Sequence, residues 1–286
     1  MPGLTLLPMF LLGCPSPDDT GAPAPTGNPD ATWVHEGELA EPAWTADEAG
    51  AAIEAAVAQP FPVPVVLFQT FADVMSNGDN RCPGPELTFE AILGCTADSG
   101  WFFAGIAGYN PTDLLEGETT FIQDDLYADM QVVSPDGARF AIGGSADQHL
   151  GLTAEGQQSY SGFLQGIFIY TNGSLFDPAV DALIDYTAGE RGDGGKWAGL
   201  DGAIGFGGNF LMFDDAVIGG DTCPADLTGT VRIRDTTDHW YSVDFGDDCD
   251  GCGTVYFNGT EDIGTTCVSF GQLGNNLTMA LLEPWR

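Results

Sequence analysis

Apolar and polar residues alternate most regularly toward the C-terminus. Thr230-Val231-Arg232-Ile233-Arg234 alternates strictly, and His239-Trp240-Tyr241-Ser242-Val243-Asp244-Phe245 puts Tyr241, Val243 and Phe245 on one face. A period of two belongs to a strand with one buried side. Gly253 to Phe257 and Thr266 to Phe270 continue the pattern, the first bounded by Asp250-Gly251 and Asn258-Gly259. Strands this closely spaced, separated by Gly and Asp turns, predict an antiparallel meander or sandwich. Arg232 and Arg234 are expected on the outward face, paired with Asp244 on the next strand.

The same texture reaches back to Cys82. Trp101 to Ile106 reads as a strand. Leu126 to Val133 and Ala138 to Ile142 flank Ser134-Pro135-Asp136-Gly137, a strong hairpin turn. Ser159 to Tyr170 is a long strand ending at Asn172-Gly173. Pro178 to Ala188 reads as a short helix, and the Gly-spaced apolar run Ala203 to Phe213 suits bends in a curved sheet.

Before Cys82 the period is helical. Thr45 is an N-cap and Glu48 completes a capping box for a helix over Ala46 to Gln59, with Ile53, Ala56 and Val57 as its apolar face. Pro60, Pro62 and Pro64 end it. Phe68, Phe71, Ala72 and Met75 recur at helical spacing and predict a second helix over Val65 to Met75. The fold class is therefore mainly β, an antiparallel sheet or sandwich-like domain over residues 44–286 with an N-terminal helix. A sub-boundary near 190–200 is left open.

Composition adds a core and a charge. Of 286 residues 43% are hydrophobic, with 18 Phe, 7 Tyr and 6 Trp, which is ample for a core. The 42 acidic residues against 7 basic ones give a net charge of −35. Such a surface repels nucleic acid and anionic lipid headgroups and favours cations and basic partners.

Six of the seven cysteines, Cys82, Cys95, Cys223, Cys249, Cys252 and Cys267, lie in the β region. An even set in an exported chain reads as three disulfides, with Cys82–Cys95 as a local loop and the other four pairing among themselves. The alternative is a zinc site on Cys223, Cys249, Cys252 and Cys267. A redox role for Cys249-Asp250-Gly251-Cys252 is disfavoured, because Asp247, Asp248 and Asp250 raise rather than lower a thiol pKa. Those three aspartates, and Asn77-Gly78-Asp79-Asn80, are oxygen-rich turns that suit calcium, but neither has EF-hand spacing.

Other constellations carry little chemistry. Ser145, Asp147 and His149 read as a polar loop. His239, beside Asp235 and Asp238, is expected to face solvent, and Arg191-Gly192-Asp193 is treated as a chance string. Trp101, Tyr160, Tyr170, Trp240 and Tyr256 would form a sugar- or peptide-binding platform if they shared an exposed face. No catalytic residue is assigned.

The N-terminus is distinct. An apolar run from Leu4 to Leu12 is followed by Gly13, Cys14 and a polar stretch from Pro15. Nine residues are too few to span a bilayer, which needs about 20, but they match a signal-peptide core with Gly13 at the cleavage position. Leu11-Leu12-Gly13-Cys14 resembles the lipobox of bacterial lipoproteins, although the segment before the run has no Lys or Arg. The resemblance implies a signal peptide over 1–13, a diacylated Cys14, and a disordered Pro/Asp/Thr-rich tether over 14–43 that holds the domain off the membrane. Trp33 and Trp44 near its end are candidates to dock on the domain. The whole is similar to surface lipoproteins of Gram-negative bacteria with a cysteine-stapled β domain, which implies an outer-membrane or cell-surface location, lipid-anchored. Three functions remain: a non-enzymatic binding or scaffolding domain, a module binding calcium or zinc, and a secreted-type hydrolase with unfamiliar residues.

Overall fold

The computed structural model describes residues 41–84, 88–116, 119–153, 156–170 and 179–282. The expected signal peptide, Cys14, Trp33, nearly all of the expected tether and Asn172 lie outside them. Two helices, α1 (Ala46–Val57) and α2 (Pro64–Met75), lead into twelve strands. These are β1 (Thr88–Thr96), β2 (Phe102–Glu116), β3 (Thr119–Val133), β4 (Arg139–Leu152), β5 (Gln158–Tyr170) and β6 (Val180–Glu190), then β7 (Lys196–Phe206), β8 (Asn209–Ile218), β9 (Leu227–Arg234), β10 (Trp240–Phe245), β11 (Cys252–Phe257) and β12 (Glu261–Cys267). A third helix, α3 (Gly271–Leu282), follows. The strands form one sheet in sequence order, β1 to β12, every neighbour antiparallel. The sheet is continuous across residues 190–200, because Glu190 of β6 pairs with Lys196 of β7.

The local rules hold at both N-terminal helices. Thr45 Oγ1 accepts from the Glu48 amide, and Glu48 Oε2 accepts from the Thr45 amide at 2.8 Å. The α2 helix begins with Pro at its first turn, where a missing N–H is harmless. The Ser134–Gly137 turn joins β3 to β4 as expected, with the Ser134 hydroxyl on Asp136 and Ala138 closing the loop.

Three expectations change. The helix expected over Pro178 to Ala188 does not form: Pro178 lies outside the described residues, and from Val180 the segment is β6, whose even members Val180, Ala182, Ile184, Tyr186 and Ala188 are all buried. The burial has period two, and it overrides the helix-favouring Ala and Leu content. Ser145, Asp147 and His149 are not in a loop but on β4, all on its outward side, which rules out a triad on one turn. Thr266 to Phe270 holds only the end of β12, and the chain then turns into α3.

All three helices pack on one face. The α1 helix lies on β9 and β12, α2 on β4 and β5, and α3 on β5, β6 and β7. Between α1 and α2, Phe61 meets the rings of Tyr186, Phe206 and Phe213, and the Tyr186 hydroxyl donates to the Pro62 carbonyl at 2.9 Å. Trp44 docks as expected: its ring lies 4.9 Å from that of Tyr241, and the Tyr241 hydroxyl accepts from the amides of Ala43 and Trp44. The inner-face side chains and the three helices thus make one continuous core.

The six cysteines form Cys82–Cys95, Cys223–Cys249 and Cys252–Cys267. Cys252 and Cys267 are direct cross-strand partners on β11 and β12. This pairing replaces the four-cysteine zinc alternative, since the thiolates it needs are bonded to one another.

Candidate functional site

With the inner face filled by helices, the outward face of the sheet is the surface left to meet other molecules. Alternation decides what it carries. On β3 the odd residues point outward, and register carries that parity across the sheet. Asp125 lies opposite Asp147 of β4, Asp147 opposite Phe163 of β5, Phe163 opposite Asp185 of β6, and Asp185 opposite Asp201 of β7. Asp201 falls at the register shift facing β8, where Asp214 and Asp215 sit. Five strand-to-strand steps of about 4.8 Å make a row about 24 Å long.

The row is electrostatically strained. Burial pushes the carboxyls of Asp147, Asp185 and Asp201 above the ordinary aspartate value, and neighbouring charges add to it. Asp125 acts on Asp147, and Asp201 and Asp147 act on Asp185; the charges of Asp215 and Asp214 act on Asp201, against a hydrogen bond from the Asp215 amide that pulls its carboxyl down. His149, with Nε2 3.9 Å from Asp147, works in the opposite direction. Among the described residues, none of Asp125, Asp147, Asp185 and Asp201 forms an ion pair with Lys or Arg. The same outward face carries exposed apolar side chains, Tyr127 at 59% one outward position from Asp125, and Ile167 at 52% and Phe121 two outward positions from the row.

The sequence-derived candidates map elsewhere. Of the proposed aromatic platform, Tyr160 and Trp240 are buried, Trp101 and Tyr256 are only partly exposed, and the Tyr170 side chain lies outside those described, so no platform forms from the four described. Asp247, Asp248 and Asp250 sit on the exposed β10–β11 turn, and Asp250 accepts from the Cys252 amide. Asp79 is likewise a turn former, accepting from the amides of Arg81, Cys82 and Asp98. Among the described residues no group of three or more His, Cys, Asp or Glu is arranged to hold a metal ion.

His239 does not face solvent: its side chain is only 15% exposed, its Nδ1 lies 2.7 Å from Thr237 Oγ1, and its ring packs on Phe257. The Arg191-Gly192-Asp193 string is structural. Arg191 bonds Asp193 and the carbonyls of Gly219, Gly220 and Pro224, stitching two loops together. Arg232 and Arg234 share the outward face with Asp244 but do not pair with it. Arg232 bonds Asp214 at 2.9 Å, Arg234 pairs with Asp238, and Asp244 accepts from Thr230.

A second polar group lies on the inner face. Asp124 is 6% exposed, accepting from the Tyr109 hydroxyl at 2.8 Å and from Gln148 Nε2 at 2.7 Å. Tyr160 donates to Gln148 Oε1, and burial, with the charges of Asp147 and Asp124 behind it, raises the Tyr160 phenol well above its usual value. Two neutral donors satisfy this carboxylate, a structural solution to burying it.

Sequence reasoning missed the acidic row because it exists only in register. Each aspartate alone is an ordinary outward residue between inward apolar ones, as Asp185 is between Ile184 and Tyr186. No protein-family model, no curated protein and no solved structure matches this chain.

Proposed function

We propose that this chain is a non-enzymatic envelope lipoprotein, anchored through acylated Cys14 at the outer membrane or cell surface, whose β domain binds or scaffolds a partner. The observation that carries this reading is the division of the sheet. Its inner face is sealed by helices and a continuous core, whereas its outer face is bare and chemically patterned. The shifted carboxyls are spread along that face rather than converging as an acid–base pair, which favours multipoint contact over hydrolysis. The acidic surface disfavours nucleic acid as partner.

The test is site-specific photocrosslinking in intact cells, with Tyr127, Ile167 or Met212 replaced one at a time by p-benzoylphenylalanine. The reading expects one common adduct from all three outer-face positions, Met212 lying opposite outward Arg232 on β9, and none from the same replacement at Met279, which is exposed on α3. Adducts that differ at every position, or arise equally at Met279, would refute it.

A further inference from the structure

The bare face has a partner chemistry written into its register. Resting on the reading of that face as the binding surface, we propose that the outer face from β3 to β8 docks a basic, extended polypeptide segment. Two pairs in the row, Asp125 with Asp147 and Asp185 with Asp201, are like charges directly opposite each other. That placement destabilises a sheet, and it lies mid-strand, where turn chemistry cannot explain it. The energetic fault disappears when cations lie along the row.

Charge complementarity selects the occupant. The protein's own Arg232 and Arg234 are committed to Asp214 and Asp238 at one flank, and Arg139 lies at the end of β4 beside Gln131. A row about 24 Å long matches an extended peptide of about seven residues at about 3.4 Å each. Phe163 within the row, with Tyr127 at the next outward position of β3, offers ring contacts to the stems of Lys or Arg. A metal ion does not fit, because the carboxylates run in a line instead of surrounding a point.

The experiment is fluorescence anisotropy of fluorescein-labelled octalysine titrated with the folded protein at low salt. The variants are Asp125→Asn/Asp147→Asn, Asp185→Asn/Asp201→Asn and, as a control with the same change in net charge, Asp247→Asn/Asp248→Asn. Each outer-face pair is expected to weaken binding about five-fold, the control less than about two-fold. Both outer-face variants are also expected to melt at higher temperature than the parent, which shows that they fold and that the repulsion is real. Equal weakening by all three variants means octalysine reads net charge only, and overturns the inference. Unchanged or lower melting temperatures overturn the claim of strain. Either failure leaves the outer-face reading to the photocrosslinking result, which uses no cationic probe.

Discussion

Gly166 has a backbone that few other residues could adopt. Its φ is +117°, and a Cβ there would run into the carbonyl oxygen of Gly143 on the neighbouring strand. The partner Gly144 is equally closed, by the Gln165 carbonyl. Glycine at both positions lets the backbones of β4 and β5 approach closely here. Gly166→Ala is therefore expected to destabilise the domain by about 1–3 kcal/mol in denaturant unfolding. Asp124 makes a second single-residue demand. Asp124→Ala would remove the acceptor of the buried Gln148 amide and of the half-buried Tyr109 hydroxyl, at a cost of about 1–3 kcal/mol by the same measurement. Neither demand is legible in the sequence, where Asp124 is one acidic residue among 42.

Among the elements, legibility followed how far local signals agreed with packing. The α1 helix was plain because cap, period and proline stop coincide. The β6 strand was hidden because Ala-Val-Asp-Ala-Leu-Ile satisfies either period, and only pairing with β5 and β7 decides it. The α3 helix was missed because its opening turns carry Gly271, Gly274, Asn275 and Asn276, all poor helix formers. Packing explains one of them: a Cβ on Gly274 would lie 2.6 Å from Ile218 Cγ2, so glycine lets α3 settle on the sheet.

The disulfide set was readable as three bridges, but only the Cys82–Cys95 partnership was singled out, since the other four need the β11–β12 register. Cys252→Ser/Cys267→Ser is expected to lower stability by about 2–4 kcal/mol. It should loosen the β12 edge, seen as faster amide exchange there and in α1, which packs on it. Tyr241→Phe should likewise speed exchange of the Ala43 and Trp44 amides while leaving the core strands unchanged.

The whole molecule is governed by its charge of −35 and by two populations of carboxyls. Asp147, Asp181, Asp185 and Asp201 are held above the ordinary 3.8, chiefly by burial. Asp79, Asp136 and Asp193 are held below it, and Glu48 below 4.5, chiefly by hydrogen bonds. The first group binds protons more tightly folded than unfolded, so stability rises as pH falls through their raised values. The second binds them more weakly, so stability is lost as pH falls further, through the values below 3.8 and 4.5. A melting temperature that climbs as pH falls from 7 through the raised aspartate values, and drops again only once pH falls below the ordinary carboxylate values, is the expected profile. A steady decline from pH 7 downward would contradict it. At this scale the sequence disclosed the β class, the helical start and the acidic surface. It could not disclose that one meander of twelve strands puts every helix on one side, because sidedness arises only from register.

The most direct measurement of the central claim is an intact mass of the protein extracted from membranes, alkylated before and after reduction. An envelope lipoprotein with a stapled sheet predicts a mature N-terminus at Cys14 carrying acyl chains. It also predicts no alkylation before reduction and six alkylated cysteines after it. An unprocessed or non-acylated N-terminus would contradict the anchor, and thiols that alkylate without reduction would contradict the three staples.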